Sequence, residues 1–219
     1  MRGLIFDLDG TMVDNMMVHH RAWQSKLKEL GLSLSLSEVK EKVHGINEEI
    51  LERLFGDRFS LGERRKISAE KEETYRRIFL DRLGLIPGLD RFLKESRPPG
   101  LPLAIASAAP PENVNFVVDN LDIRRFFSAI LSAGDVEKGK PDPEIYLKTA
   151  DQLSLDPKDC LVFEDSPTGA ISASSAGCPL VIVTTTHEES DFNDIPGITR
   201  FIKNYDQFSI SQLLKFNHR

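Results

Sequence analysis

Cysteine is scarce in this chain, whose 219 residues include only Cys160 and Cys178. The two are not arranged as a CxxC pair and have no histidine close by in the sequence, which argues against a structural zinc site. Each lies beside an apolar, strand-like run. We therefore expect two buried free thiols.

Positive charge and long apolar runs are also lacking. The formal net charge is -6, and no run of lysine and arginine interleaved with aromatic residues is present, so nucleic acid is not expected as a partner. The longest apolar runs, such as Pro179–Val183, are far shorter than the roughly 20 residues that a membrane span needs. The start of the chain leads directly into the run that ends at Asp7, which argues against a secretory signal. We expect a cytoplasmic monomer that binds neither a membrane nor nucleic acid.

Short apolar runs recur along the chain and alternate with helical patterns. The predicted strands are Gly3–Leu8, Leu103–Ala106, Ala129–Leu131, Cys160–Phe163 and Leu180–Val183. The helical patterns between the later strands are Pro111–Asn120, Pro143–Leu153 and Ser166–Ala176. Alternation of strand and helix is typical of an α/β fold, and we predict a doubly wound parallel sheet.

The stretch from Asn15 to about Leu83 breaks this alternation, because it contains amphipathic helical patterns and no convincing strand. The predicted helices of this stretch are Met16–Leu30, Ser37–Val43, Glu48–Phe55 and Gly62–Leu83. We interpret residues 15–84 as an α-helical cap domain inserted after the first strand, between core segments 1–14 and 85–219. Glycine and proline in residues 84–88 would return the chain to the sheet, and a second breaker, residues 97–100, precedes the second strand.

Acidic, hydroxyl and basic residues follow the predicted strands at their carboxyl ends. The first strand runs into Asp7-Leu-Asp9-Gly-Thr11, the second is followed by Ser107, and the fourth by Glu164-Asp165. Lys140 lies in the segment after the third strand. In open parallel sheets the ligand crevice lies at the carboxyl ends of the strands, so we expect these side chains to converge there.

Several carboxylates in one crevice require a cation among them. Two carboxylates about 4 Å apart repel each other by about 4 kcal/mol at an effective dielectric of 20. Mg²⁺ binds one or two carboxylates together with waters and phosphate oxygens, which makes a small phosphorylated metabolite the natural substrate. In such a site Asp7 can attack phosphorus, while Asp9 protonates the leaving oxygen and then deprotonates the incoming water. Ser107 and Lys140 would bind the oxygens of the transferring group.

These strand endings, taken in order, resemble the four motifs of the haloacid-dehalogenase-like hydrolase superfamily, and the resemblance covers essentially the whole chain. The helical insert is similar to the cap of its β-phosphoglucomutase-like phosphatases. The resemblance implies a Mg²⁺ site formed by Asp7, the backbone carbonyl of Asp9, Glu164 and Asp165. It implies phosphate contacts from Thr11, Ser107, Ala108 and Lys140. In the cap, it implies substrate contacts from His19 and Lys71.

The choice of reaction also follows from the resemblance. Dehalogenases of the superfamily lack a carboxylate at the position of Asp9, so phosphoryl transfer is favoured. Glu48 stands where β-phosphoglucomutase has an arginine, and Ala109-Pro110 where it has a Ser-Lys pair; both lost groups help to bind the phosphate that is not transferred. We therefore predict a monophosphate phosphatase that forms an aspartyl-phosphate, with a sugar-phosphate mutase as the alternative.

For single residues, other interpretations are open. Lys140 taken alone is more commonly a solvated loop lysine. Lys71 has charged neighbours on both sides, which is the pattern of a solvated helix face. Ser166 is interpreted as the N-cap of a helix with Pro167 in its first turn.

Two further classes of protein use similar residues. A phospho-acceptor signalling module also has an acceptor aspartate, acidic metal ligands, a hydroxyl and a lysine, but it lacks an acid like Asp9 and an inserted cap. A binding protein that kept the fold without catalysis should have lost at least one motif residue. Both are less favoured than an enzyme.

Overall fold

A computed structural model describes residues 1–96 and 100–209, so most of the predicted breaker at 97–100 and the end of the predicted core segment, 210–219, lie outside the described residues. The chain forms two compact units. One comprises residues 15–83, and the other comprises the described residues on either side of this insert, 1–14 and from 84 onward. Among the described residues, none of the helices is long and apolar enough to cross a membrane.

The unit formed by residues 1–14 and from 84 onward is built on a parallel sheet of six strands in the order β3-β2-β1-β4-β5-β6. The strands are β1 (Gly3–Phe6), β2 (Leu103–Ala106), β3 (Ala129–Leu131), β4 (Cys160–Glu164), β5 (Leu180–Val183) and β6 (Ile198–Ile202). All the predicted strands are present, and the α/β fold is confirmed. The prediction missed β6 and placed the end of β1 at Leu8, whereas the strand stops before Asp7.

Helices flank this sheet. They are α5 (Leu89–Ser96), α6 (Pro111–Asn120), α7 (Glu144–Gln152) and α8 (Pro167–Ser175). Helix α8 begins as predicted, because the Ser166 side chain accepts a hydrogen bond from the Gly169 amide and Pro167 occupies the first helical position. Helix α5 was not predicted. Short 3₁₀ helices in this unit are Arg124–Phe126, Ala133–Asp135, Pro157–Asp159 and Glu189–Phe192.

The insert is helical, as its periodicity predicts. Its helices are α1 (Met16–Glu29), α2 (Leu36–Lys42), α3 (Asn47–Phe55) and α4 (Leu61–Phe79), with 3₁₀ turns at Gly56–Arg58 and Leu80–Arg82. Capping boxes fix where α2 and α4 begin: the hydroxyls of Ser35 and Ser60 accept from the amides of Glu38 and Glu63, whose carboxylates accept in return. Apolar side chains that include Trp23, Leu27 and Leu51 form the core of the insert.

Aromatic packing aligns the ends of β1 and β4. Phe6 and Phe163 are register partners in the two neighbouring strands, and their rings stack with centroids 4.7 Å apart. The Asp7 amide donates to the carbonyl of Phe163 at 2.9 Å. The residues that follow these two phenylalanines, Asp7 and Glu164, are therefore held side by side at the same edge of the sheet. Cys160 and Cys178 are both free and buried, as expected.

Candidate active site

The strand order places a crevice between β1 and β4, because the sheet is extended to one side of β1 by β2 and β3 and to the other side by β4, β5 and β6. Ligands bind at such a switch point, outside the carboxyl ends of the strands. Asp7 follows β1, Glu164 ends β4, and Asp165 follows it. The three carboxylates are buried, and one oxygen from each lies within 4.8 Å of the other two.

Lys140 joins two of these carboxylates. Its Nζ donates to Asp7 Oδ1 and to Glu164 Oε1, both at 2.6 Å, and to the Ala106 carbonyl at 3.1 Å. Only 6% of the side chain is exposed. The alternative that Lys140 is a solvated loop lysine is therefore wrong, and its charge lies between Asp7 and Glu164.

Glu164 accepts hydrogen bonds at both carboxylate oxygens. Oε1 accepts from the Tyr146 hydroxyl at 2.7 Å in addition to Lys140. Oε2 accepts from the Asp165 amide at 3.0 Å and from the amide and hydroxyl of Ser166, both at 3.2 Å. A Cβ on Gly169 would lie 1.8 Å from Oε1, so the carboxylate packs directly on a helix residue that has no side chain.

Asp165 is held by hydroxyls from two loops. Thr11 Oγ1 donates to its Oδ1 at 3.3 Å, and Thr186 Oγ1, in the loop after β5, donates to its Oδ2 and also lies 2.9 Å from its backbone carbonyl. Gly10 approaches the same carboxylate with φ at 81°, and a Cβ there would lie 2.1 Å from Oδ2. Glycine is thus required in this turn both by the left-handed backbone and by the close approach.

The remaining predicted core residues lie on the turns after β1 and β2. Asp9 is half-buried in the turn after β1, which is closed by a hydrogen bond of 2.8 Å from the Gly10 amide to the Val13 carbonyl. Ser107 is fully buried, and its Oγ accepts from the Ala109 amide at 3.0 Å. Ala108 is exposed. Ser107 directly follows β2, at the same carboxyl edge of the sheet as Asp7 and Glu164.

The charges of the site are unbalanced, since Lys140 supplies one positive charge against three carboxylates. Burial raises the pKa of Asp7 well above its usual range, although Lys140 opposes this effect. Burial and the neighbouring Glu164 raise the pKa of Asp165 to about 7. Burial alone would also raise the pKa of Glu164, but Lys140 and hydrogen bonding lower it. An additional cation would stabilise Asp7 and Asp165 in their charged forms.

The donor set indicates which cation fits. Carboxylate oxygens are hard ligands of the kind that Mg²⁺ and Ca²⁺ prefer, and neither thiol nor imidazole belongs to the group. The buried acidic cluster could therefore hold a hard divalent ion.

In the insert, Lys71 and His19 are neighbours. Lys71 Nζ lies 3.0 Å from His19 Nδ1 and donates to Glu72 Oε1 at 2.8 Å, and the His19 ring stacks on Tyr75 with centroids 3.9 Å apart. The Lys71 side chain is 3% exposed, so its interpretation as part of a solvated helix face is wrong. Burial, with Lys71 close by, lowers the pKa of His19 to about 3, so its ring is neutral and accepts from the ammonium.

Three residues that contact the predicted ones were missed. Tyr146 lies on the predicted helix 143–153, whose apolar periodicity predicts burial but not the partner of a hydroxyl. Glu72 follows Lys71 in a charged stretch where any carboxylate could have been its partner. Thr186 comes shortly after the predicted strand that ends at Val183. Its position near the carboxyl end of a parallel strand is a signal by which it could have been predicted.

Comparisons with known proteins show which chains this one is similar to. The model of the haloacid dehalogenase-like hydrolase family matches residues 1–177. β-Phosphoglucomutase of Bacillus subtilis (strain 168) is 30% identical over 185 residues, which cover 81% of this chain and 80% of that protein. Hexitol phosphatase A of Escherichia coli (strain K12) is 30% identical over 198 residues, which cover 89% of this chain and 88% of that protein. A solved structure, of a family IA, variant 3 HAD hydrolase from Entamoeba histolytica HM-1:IMSS, is 25% identical, covers 100% of both chains and has a TM-score of 0.91.

Proposed function

This chain is an enzyme of the haloacid dehalogenase-like hydrolase family, and from that premise we propose which reaction it performs. The reaction is the Mg²⁺-dependent hydrolysis of a small phosphorylated metabolite, a sugar or polyol phosphate, through an aspartyl-phosphate on Asp7. The resemblance inferred from the motifs is confirmed at the level of the family.

One observation carries the proposal. Asp7, Glu164 and Asp165 converge within 4.8 Å at the switch point of the sheet, with the Lys140 ammonium bonded to two of them. A nucleophilic carboxylate, a fixed cation and an acidic cluster with all-oxygen ligands are the groups that phosphoryl transfer to an aspartate needs.

The Mg²⁺ ion would be held by Asp7, the Asp9 backbone carbonyl, Glu164 and Asp165. When bound, it would reduce the repulsion between the carboxylates and an anionic substrate and polarise the phosphoryl oxygens. The cluster has three buried carboxylates and one lysine, and this excess of negative charge fits a bound cation.

In the first half of the reaction, a carboxylate oxygen of Asp7 forms a bond to phosphorus, and the bond between phosphorus and the ester oxygen breaks. Asp9, as the neutral acid, gives its proton to the leaving oxygen, so that the alcohol departs uncharged. Lys140 and the Ser107 hydroxyl bind oxygens of the transferring group, assisted by the backbone at Ala108 and by Thr11.

In the second half, the Asp9 carboxylate takes a proton from water, whose oxygen bonds to phosphorus. The bond between phosphorus and the Asp7 oxygen then breaks. Inorganic phosphate leaves, Asp7 is again a free carboxylate, and Asp9 is again protonated. The two displacements replace one difficult hydrolysis by two easier steps.

A sugar-phosphate mutase is the second candidate, supported by the similarity to the mutase of Bacillus subtilis. In a mutase the Asp9 carboxylate would deprotonate a substrate hydroxyl instead of water. Glu48 and Ala109-Pro110 oppose this candidate, because a glutamate would repel a second phosphate and neither alanine nor proline can bind one. The phosphatase is therefore preferred.

The substrate class is proposed from two sources. The similarity to a hexitol phosphatase supports a polyol or sugar phosphate. His19 and Lys71, which we propose as substrate-binding residues of the insert, form a polar cluster with Glu72 and Asn47, whose amide donates to Glu72 Oε1 at 2.8 Å. Such hydrogen-bonding groups suit a ligand rich in hydroxyls.

The test is a screen of phosphorylated metabolites for phosphate release, with Mg²⁺ and with a chelator, using Asp7→Asn as the inactive control. Asp14→Asn, an exposed aspartate in the same segment, is the matched variant that should keep full activity. Release of phosphate only with Mg²⁺ and only with Asp7 present would support the proposal. Conversion of β-glucose 1-phosphate with a bisphosphate primer into its isomer, without free phosphate, would favour the mutase instead.

A further inference from the structure

Tyr146 is a fully buried residue of α7 that contacts both members of an ion pair in the active site. Its hydroxyl donates to Glu164 Oε1 at 2.7 Å. Its ring lies beneath the Lys140 ammonium, with Nζ 4.8 Å from the ring centroid. The catalytic steps proposed above give Tyr146 no role and do not require it to contact the substrate.

We propose that Tyr146 is a positioning residue for phosphoryl transfer: its hydroxyl, by occupying Glu164 Oε1, keeps the Lys140 ammonium shared between Glu164 and Asp7. The inference rests on the proposed function of this site. It assigns to Tyr146 an action through Lys140, not a direct contact with the reacting atoms.

The distances explain why such a residue is needed. Lys140 Nζ lies 2.6 Å from Asp7 Oδ1, 2.6 Å from Glu164 Oε1 and 3.1 Å from the Ala106 carbonyl, so each of its three N–H groups has an acceptor. Lysine is a compact point charge on a long stem, and its position depends on the balance between its acceptors. The hydrogen bond from Tyr146 to Glu164 Oε1 weakens the attraction between that oxygen and the Lys140 ammonium. The positive charge of Lys140 then acts more strongly on Asp7 and on the phosphoryl group bound there.

The Tyr146 hydroxyl is the donor in its contact with Glu164, because a carboxylate oxygen only accepts. The two contacts of the residue can also be separated. Tyr146→Phe removes the hydrogen bond to Glu164 but keeps the ring that packs against Lys140.

A matched control lies one turn away on the same helix. Thr149 is fully buried, and its hydroxyl donates to the Ile145 carbonyl at 2.7 Å, within α7 and away from the carboxylates. Thr149→Val, like Tyr146→Phe, deletes one buried hydroxyl without changing the shape of the side chain. It therefore reports what a purely structural loss in α7 does to the enzyme.

The experiment compares the wild-type protein and both variants by two measurements in the presence of Mg²⁺. The first is steady-state phosphate release from the ester identified by the screen. The second is calorimetric binding of beryllium trifluoride, a mimic of the phosphoryl group on aspartate, which requires no turnover. Calorimetry gives the affinity and the fraction of competent sites separately, and a merely structural role would change only the fraction.

For Tyr146→Phe we expect kcat to fall about tenfold with KM within about twofold of wild type, and the fluoride complex to weaken about tenfold at unchanged stoichiometry, as is usual for loss of an outer contact in such a site. Thr149→Val should stay within about twofold of wild type in each quantity. A Tyr146→Phe variant with unchanged kcat and affinity, or with lost stoichiometry only, would overturn the inference. Failure of the proposed function looks different, because the wild-type protein itself would then release no phosphate from any ester.

Discussion

The Lys140 ammonium and the Asp7 carboxylate form an ion pair of 2.6 Å, although the two residues are 133 positions apart in the chain. Lys140 thereby ties the segment after β3 to the end of β1. Since both side chains are less than a tenth exposed, this pair is shielded from solvent and its loss should be felt in stability as well as in activity.

Lys140→Met is expected to lower the free energy of unfolding by about 3 kcal/mol, because it leaves Asp7 and Glu164 buried without the cation that bonds to both. Urea denaturation in the absence of divalent ions measures this loss. Lys138→Met is the control, since its ammonium is 74% exposed and lies only two residues away. A loss below about 1 kcal/mol for Lys140→Met would show that the pair contributes little to folding.

Asp9→Asn tests the acid and base role in the proposed mechanism. An amide cannot give or take the proton, so kcat should fall by about 10² to 10⁴, while KM should change by less than about threefold. Steady-state kinetics of phosphate release measure both quantities. Asp14→Asn, in the same segment, should leave them unchanged. Similar losses in kcat and in substrate binding would contradict the assignment.

The fold was largely predictable because most strands are short, fully apolar runs with a turn or helix signal on each side. Strand β6 was missed for a physical reason: it lies at the edge of the sheet, and in Ile198–Ile202 apolar and polar residues are mixed because only part of the strand is covered. Helix α5 was missed although its buried residues, Leu89, Phe92, Leu93 and Ser96, have helical spacing. Its short length and the neighbouring breakers hid that pattern.

Predicting the candidate site was easier than predicting its surroundings. Asp7, Glu164 and Asp165 lie at or just after the ends of neighbouring parallel strands, so topology alone brings them together. The hydroxyl of Tyr146 reaches Glu164 only because of the side-chain packing of α7, which no sequence period specifies. The charged neighbours of Lys71 indicated a solvated helix face as the alternative to a substrate contact, yet its partners His19 and Glu72 allow it to be buried. Burial of a charge depends on such partners, and these are known only in three dimensions.

The insert should lose stability in mild acid. Burial, with Lys71 close by, lowers the pKa of His19 to about 3, whereas the unfolded chain has an ordinary histidine pKa of about 6.5. Below about pH 6.5 the unfolded state therefore binds a proton that the folded state does not. The contribution of His19 to the free energy of unfolding is thus present at neutral pH and is lost as the pH falls. The slope for one such proton is at most about 1.4 kcal/mol per pH unit.

Urea denaturation at pH 7, 6 and 5 measures this effect. Asp165, whose pKa of about 7 lies in this range, contributes equally to the wild-type protein and to a variant at His19, so the difference between the two reports the histidine. His19→Gln should be less sensitive to acid than the wild-type protein, whereas His44→Gln, which changes an exposed histidine, should match the wild type. Equal pH dependence of the wild-type and His19→Gln proteins would show that this imidazole is not kept neutral by its surroundings.

Mg²⁺ should stabilise the folded protein through the cluster of Asp7, Glu164 and Asp165. A ligand that binds only the folded state at about 100 times its Kd adds about 2.7 kcal/mol, which raises the Tm of a chain of this size by several degrees. Thermal unfolding with MgCl2, compared with NaCl of equal ionic strength, measures the shift. Asp165→Asn should abolish most of it. If Mg²⁺ raised the Tm of that variant as much as that of the wild-type protein, the ion would bind at another site.

Two glycines in first helical turns should respond to alanine in opposite directions. A Cβ on Gly62, at the start of α4, would meet no atom within 4 Å, so Gly62→Ala should stabilise the protein by about 0.5 kcal/mol through helix propensity alone. A Cβ on Gly169, at the start of α8, would lie 1.8 Å from Glu164 Oε1. The Glu164 carboxylate is fixed by Lys140 and by the other donors to its two oxygens, so it can move only by breaking those bonds.

Gly169→Ala should therefore destabilise the protein by about 2 kcal/mol despite the better helix propensity of alanine, and it should lower kcat because Glu164 no longer holds Lys140 in place. Urea denaturation and phosphate release measure the two effects on the same preparations. If Gly169→Ala proved as stable and as active as Gly62→Ala, the close contact between Glu164 and α8 could not be what fixes the carboxylate. Its position would then be set by the hydrogen bonds that its two oxygens accept from Lys140, Tyr146, Asp165 and Ser166.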